Sequence, residues 1–249
     1  MSQLDLSIAA EVSARHISFL ETGRSRPSVE MVLVLAESLA VPMRETNELL
    51  RVAGFEAMYP EPTVETLLQG SLGDAVDIML THHEPFPMMV VDRLYNVVRT
   101  NRAGEVFLQI ADVDLVADAP VNLLKLLFDP ASRELIGNWS DTARTTLRRL
   151  QREVLHRPYD ESMAELLNDL LNDLLNAPGI PEDWRVPALE EVDEPTLGIE
   201  FQAGDMSLRF LTTITEFNAP QNVTLQELRI ESYFPLDDTT RELCDALLR

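Results

Sequence analysis

Two prolines flank a single residue in Pro60-Glu61-Pro62. Neither a helix nor an inner strand runs through such a pair, because each ring fixes φ and removes an N–H. The 249-residue chain therefore divides here into parts with different periodicities. Before the break, apolar residues recur at helical spacing. Ser2 is positioned to cap a helix carrying Leu4, Leu6, Ile8, Ala9 and Ala10, and Ser13 a second with Ile17 and Leu20 on its inner face. Gly23 ends that helix. Pro27-Ser28 opens a third with Val32, Leu35, Ala36 and Leu39. Pro42 falls at the first turn (N1) of a fourth, which carries Leu49, Leu50 and Val52 and stops at Gly54. The spacing predicts a compact all-α module over residues 1–58.

Charge is unevenly spread. The net charge is −22. Residues 1–58 hold five basic and eight acidic side chains, a net −3, which leaves −19 for the remainder. Such a balance excludes a broad surface that wraps a polyanion but allows a small local patch. Arg15, Arg24 and Arg26 lie within one such short stretch. No apolar run approaches the roughly 18 residues a membrane helix needs, and the N-terminus lacks a basic start followed by an apolar run. The single Cys244 excludes an internal disulfide framework. A cytoplasmic protein without a membrane partner is expected.

The stretch Val12-Ser13-Ala14-Arg15-His16-Ile17-Ser18-Phe19-Leu20-Glu21-Thr22-Gly23-Arg24-Ser25-Arg26, preceded by Ser2-Gln3-Leu4-Asp5-Leu6, resembles the helix-turn-helix of XRE-type, lambda-repressor-like regulators. The resemblance implies that the helix starting after Ser13 enters the major groove of double-stranded DNA. By the same resemblance, Gln3 and Ser13 touch backbone phosphate, Ala14, Arg15, His16 and Phe19 face the groove, and Arg24 and Arg26 grip the flanking backbone. Two departures stand out. Glu11 occupies a turn position that the family usually fills with Gly. The family also has another helix ahead of the position of Ser2, and without this first helix the inner faces of Leu4, Ile8 and Leu35 lack one wall.

Beyond the break, helix and strand mix. Residues 63–83 read as helix up to Glu84-Pro85-Phe86-Pro87. Met88–Asp92 and Asn96–Arg99 read as a hairpin, and Thr100 or Asn101 as the cap of a helix reaching Ala111. Long helices are expected at 130–155 and 160–176, the second bearing the repeated Leu166-Leu167-Asn168-Asp169 as a packing stripe up to Asn176. From Thr196 the period becomes two. Leu197, Ile199 and Phe201 mark one strand. After a turn at Gly204-Asp205, Leu208, Phe210 and Ile214 mark the next. Past the Asn218-Ala219-Pro220 loop, Val223, Leu225, Leu228, Ile230 and Tyr233 mark a third. The three form an antiparallel meander, followed by a helix at 238–248.

This order is similar to a PAS-like α+β domain with an antiparallel sheet. The stretch Val91-Asp92-Arg93-Leu94-Tyr95-Asn96-Val97-Val98-Arg99-Thr100-Asn101, with Asn122–Pro130, Asn138-Trp139 and Thr213 to Glu231, resembles more closely the MmyB-like ligand-binding domain, which in its family follows an XRE-type helix-turn-helix. The resemblance implies a multidomain one-component regulator, with a reader over 1–58 and a ligand-binding and dimerisation domain over 63–249. An apolar small-molecule ligand such as a fatty acid would lie between sheet and helices. A face of Phe201, Phe210 and Leu211, opposed by Phe107, Leu126, Leu127, Phe128 and Trp139, suits its tail. Arg93, Asn101, Asn122 or Arg229 suits its polar end, with Thr213 in the matching stretch. Each Asn can equally serve as a helix cap.

Enzymatic signatures are missing from the sequence. There is no Gly-x-Ser-x-Gly elbow, phosphate-cradling glycine loop or His-Glu-x-x-His zinc helix. His82 and His83 are neighbours facing different directions, which makes a poor metal site. Neither a cofactor nor catalysis is expected. A homodimer is expected, because one short recognition helix covers too few base pairs for useful specificity. The rival reading is a ligand-binding and dimerisation protein that has lost DNA binding with the first helix of its reader; a hydrolase or lipid-modifying enzyme lacks a nucleophile-and-base pair.

Overall fold

The computed structural model describes residues 1–111, 120–156, 160–175, 197–204, 206–217 and 222–249. Thr196, Asp205, Asn218-Ala219-Pro220 and Asn176, which the sequence reading assigned to strand starts, turns and a helix end, lie outside these residues. The chain forms two compact units, Met1–Pro62 with Ala219–Gln226, and Thr63–Asn218 with Glu227–Arg249.

In the first unit, α1 (Gln3–Ala9) begins at Ser2, which accepts from the Asp5 amide at 3.2 Å while the Asp5 carboxylate accepts the Ser2 amide at 3.0 Å. This reciprocal pair satisfies two amides that a helix start leaves open. The chain turns through Glu11, whose φ of +51° costs a non-Gly residue roughly 1 kcal/mol. Ser13 then caps α2 (Ala14–Glu21), and Ser28 caps α3 (Val29–Ser38). Pro42 is the N-cap of α4 (Met43–Val52) rather than its first helical residue. A proline side chain cannot accept a hydrogen bond, and the open Met43 amide instead donates to Gln226 at 2.9 Å. Ile17, Val32, Ala36 and Leu50 form the core. Leu4 and Ile8 of α1 are 63% and 71% exposed. Asn47, fully buried, holds the segment leading to the prolines: its amide donates to the Tyr59 carbonyl and to Glu61, and its oxygen accepts the Met58 and Tyr59 amides.

The second unit starts with α5 (Val64–Leu67) and α6 (Ser71–His83), separate helices where one was expected. Gly70 supplies the break. Then come β1 (Met88–Val91), β2 (Val97–Thr100), α7 (Arg102–Ile110), α8 (Leu123–Phe128) and α9 (Pro130–Arg133). The helix expected over 130–155 is also interrupted: Leu135, Ile136 and Gly137 pair with the edge of the sheet, Gly137 N donating to Glu200 O at 2.8 Å and Gln202 N to Leu135 O at 2.7 Å. The long helix proper is α10 (Trp139–His156), followed by α11 (Glu161–Leu175). Next are β3 (Leu197–Ala203) and β4 (Met206–Glu216). The strand expected from Val223 is instead a short helix, α12 (Val223–Glu227), then β5 (Arg229–Pro235). The reason is a phase slip: apolar alternation breaks between Leu225 and Leu228, and Asn222 accepts the Leu225 amide at 2.8 Å. Helix α13 (Asp238–Leu247) closes the chain.

The five strands form one antiparallel sheet in the order β2-β1-β5-β4-β3. Its register decides which side chains share a face. Met89 stands beside Glu231 and Glu231 beside Ile214; Tyr233 stands beside Thr212, and Phe210 beside Ile199. That face meets a core including Leu124, Leu147, Leu150, Met163 and Leu170 from α8, α10 and α11. The opposite face, with Val90 and Ile230, packs on Leu68, Val76 and Leu80. The Leu166–Leu170 stripe is buried, as its spacing predicts.

Candidate functional site

In the helix-turn-helix, the Ser13 hydroxyl accepts the His16 amide at 3.2 Å and fixes the start of α2. Arg15 is exposed, Ala14, His16 and Phe19 are half-buried, and Ile17 is buried beneath them. The Arg15 and Arg24 guanidinium carbons lie 5.2 and 6.0 Å from the Phe19 ring centroid, so both cations are within cation–π reach of one ring. Arg26 is exposed. Gln3 is engaged with the Glu21 carboxylate, which joins α1 to α2. A cationic cluster beside a capped helix start can take phosphate and a base edge together.

The second unit contains a cavity of about 120 Å³ between the sheet and helices α7, α8 and α10. Its wall is largely apolar: Phe107 and Ile110 of α7, Leu123, Leu126 and Leu127 of α8, and Ile199, Phe201, Leu208 and Ile214 of the sheet. Phe107 and Phe201 meet edge to face with centroids 4.1 Å apart. Polar groups also reach this wall. Thr142, Thr146 and Arg149 come from α10, and Glu231 and Tyr233 from the middle strand β5.

Two of those polar groups, Glu231 and Tyr233, resist ionisation. Burial pushes the Glu231 carboxyl above its ordinary value, with Arg149 and Arg229 pulling the other way and a hydrogen bond from Tyr233 assisting them. Burial likewise raises the Tyr233 and Tyr95 hydroxyls, so both stay protonated. Tyr95 donates to Glu153 at 2.8 Å, and Arg149 and Arg229 lie 5.2 and 5.0 Å from its ring centroid. The Arg149 Nε is buried without a hydrogen-bond partner. Such an atom is costly unless something else meets it.

Of the residues nominated from sequence, Phe107 and Leu126 line the cavity, together with Phe201 and Leu127. Arg93 lies outside it, paired with Asp160 and close to Glu227. Asn101 and Asn122 are caps with every side-chain group engaged: Asn101 accepts from Gly104 N and Met88 N and donates to Phe86 O and Leu80 O. Asn122 accepts from Lys125 N and donates to Leu94 O and Asn96. Arg229 is buried in ion pairs with Glu153 and Glu216. Phe128 and Trp139 pack on each other in the adjoining core, where the indole N–H donates to Leu127 O at 2.9 Å. Phe210 packs against Phe107 and Tyr233 without lining the cavity. Leu211 and Thr213 are on the other face, because strand parity sets them opposite Phe210 and Thr212.

Two sequence signals for the missed polar groups exist. Thr142, Thr146, Arg149 and Glu153 recur at steps of four, three and four, a polar stripe on the face of α10 that also buries Leu150. Arg229, Glu231 and Tyr233 alternate in the central strand of the sheet, where apolar residues are the rule. Elsewhere, His82 bonds the Ile78 carbonyl and His83 contacts the Tyr233 carbonyl, and burial lowers the His83 imidazole. Cys244 is buried, its thiol pushed up to about 11. Among the described residues no group of His, Cys, Asp and Glu could hold a metal ion, and no helix is long and apolar enough to cross a membrane.

Two family models match the chain: the MmyB-like transcription regulator ligand binding domain over residues 72–247, and a helix-turn-helix over residues 1–45. No curated protein sequence matches. Among solved structures, the chain is similar to the PAS domain of BvgS from Bordetella pertussis, at 16% identity over 70% of this chain and 94% of that one, with a TM-score of 0.30. It is also similar to an RNA-binding Light-Oxygen-Voltage receptor, at 13% identity over 99% of this chain and 61% of that one, with a TM-score of 0.30. Neither superposition is close enough to inform what this chain binds.

Proposed function

The chain belongs to the family of the MmyB-like transcription regulator ligand binding domain, and from that premise we propose that this DNA-binding regulator is governed by a small apolar acid held in the cavity of its second unit. The observation that carries the reading is the combination of an apolar wall with an unsatisfied buried Arg149 Nε. A fatty-acid-like ligand supplies both an apolar chain and a head that an arginine accepts. Size sets a limit. A cavity of roughly 150 Å³ admits benzene, so the 120 Å³ here suits a short chain. Longer acids require lining side chains such as Phe107 and Phe201 to part. On this reading the protein binds DNA as a homodimer in the cytoplasm, and the ligand biases the spacing of two readers by binding one dimer state better than the other.

The test is fluorescence anisotropy of the full chain on DNA from upstream of its own gene and on scrambled DNA, with straight-chain acids from hexanoate to myristate. Preferential binding that changes on adding an acid is the expected result, with a dependence on chain length. Equal affinity for both DNAs, with or without acid, would count against it.

A further inference from the structure

The polar end of the cavity is assembled from facing elements. Arg149 projects from α10, and Glu231 and Tyr233 from β5, and all three line the same space. The other charged and titratable groups around Glu231 are Glu153 of α10, Tyr95 between β1 and β2, and Arg229 of β5 with its partner Glu216 of β4. Its neighbours across the ladder, Met89 of β1 and Ile214 of β4, cannot titrate. Arg229 is already held by Glu153 and Glu216. The cation left facing the cavity is therefore Arg149, with its Nε unbonded.

We propose that Arg149 and Glu231 jointly read the carboxyl head of the ligand: Arg149 binds the carboxylate, and Glu231, protonated, donates a second hydrogen bond to it. The inference rests on the reading of this cavity as the ligand site. Its chemistry follows from placing two carboxyl groups side by side in a poorly solvated space. Both cannot stay ionised, so one proton is shared between them. Burial already favours the protonated form of Glu231. A carboxylate arriving from water then draws one proton from solvent for each Glu231 still ionised, and Arg149 balances the single remaining negative charge. An alcohol head of the same length brings no charge for Arg149 to meet. A phosphate head brings a second negative charge against Glu231.

The experiment is calorimetric titration of the full chain with hexanoate and with hexan-1-ol, at several pH values and in two buffers of different ionisation enthalpy, which counts protons. For the unaltered protein, proton uptake accompanies hexanoate binding, and affinity falls with rising pH by as much as about tenfold per unit. Hexan-1-ol binding shows neither effect. Glu231→Gln, which keeps a hydrogen-bond donor and cannot ionise, retains hexanoate binding and abolishes both the proton uptake and the pH slope. Arg149→Met weakens hexanoate by roughly tenfold to a hundredfold and leaves hexan-1-ol unchanged. Proton uptake that persists in Glu231→Gln overturns the proposal, as does an equal loss of acid and alcohol in Arg149→Met. Binding of hexan-1-ol without hexanoate keeps the cavity as a ligand site and overturns the carboxyl proposal. Binding of neither overturns both.

Discussion

The Arg229 guanidinium meets the Glu153 carboxylate at 3.1 Å, and Arg229 is not among the residues that line the cavity. Glu153 also accepts the Tyr95 hydroxyl at 2.8 Å with its other oxygen, so one carboxylate ties α10 to β5 and to the turn after β1. Tyr95 sits there at φ +65°. Burial disfavours the charged guanidinium, yet its pKa is raised, because Tyr95, Glu153 and Glu216 outweigh that penalty.

Replacing Glu153 with alanine is expected to destabilise the second unit by about 3 kcal/mol, toward the lower end for breaking a buried pair. Glu216 remains to Arg229, which keeps the loss from being larger. Urea unfolding of the variant measures this. A midpoint within error of the original protein would mean the pair is solvated and replaceable.

Asn101→Ala is expected to cost about 3 kcal/mol, since it removes a helix cap and leaves buried partners such as Phe86 O unmet. Its effect on ligand affinity should be small in protein that remains folded, because Asn101 does not line the cavity. Thermal unfolding and acid titration on the same sample separate the two. A large affinity loss with an unchanged melting temperature would return Asn101 to the binding site.

What the sequence made legible follows from what repeats. Caps at Ser2 and Ser13 were readable because a short polar side chain ahead of an apolar period has one common use, and the open choice between Thr100 and Asn101 falls to Asn101. The hairpin was readable from two apolar, β-branched stretches either side of a short turn, and the β3-β4 pairing from period-two alternation. The α12 turn was not, because Val223 and Leu225 imitate a strand for two steps before the phase slips. The cavity's polar end was missed for a different reason. Arginines 93 and 229 look as available as Arg149 in a sequence. Only the register of β5 and the pairing of Asp160, Glu153 and Glu216 reveal which cation is already engaged.

Glu61 gives a pH signature in the first unit. Partial desolvation opposes ionisation of its largely solvated carboxyl, yet it is held below its usual value of 4.5 by hydrogen bonds from Asn47 and Arg51, with Arg44 adding attraction. A depressed carboxylate contributes stability that is present above pH 4.5 and lost as pH falls through its folded value. Glu61→Gln should therefore unfold more easily than the original protein at pH 7, with the gap closing below pH 4.5. Urea midpoints at pH 7 and pH 3.5 decide it; a gap of the same size at both would assign the loss to packing instead of charge.

Arg15 and Arg24 share the Phe19 ring, but their positions predict different consequences on DNA. Arg15 stands in the first turn of α2, where a guanidinium can reach a guanine edge, so Arg15→Ala should cost roughly 1–3 kcal/mol and relax discrimination at one base pair. Arg24 lies beyond the helix end, where phosphate is the available partner. Arg24→Ala should weaken all sequences alike and lower the salt dependence by about one unit. Neither change removes buried apolar area, so both variants should melt close to the original protein. The −19 carried outside residues 1–58 should repel DNA away from the footprint and keep non-specific binding weak, and anisotropy at two salt concentrations on specific and scrambled DNA measures these losses. Equal losses for Arg15→Ala on specific and scrambled DNA would reassign it to phosphate, and an unchanged slope for Arg24→Ala would take it off the contact surface.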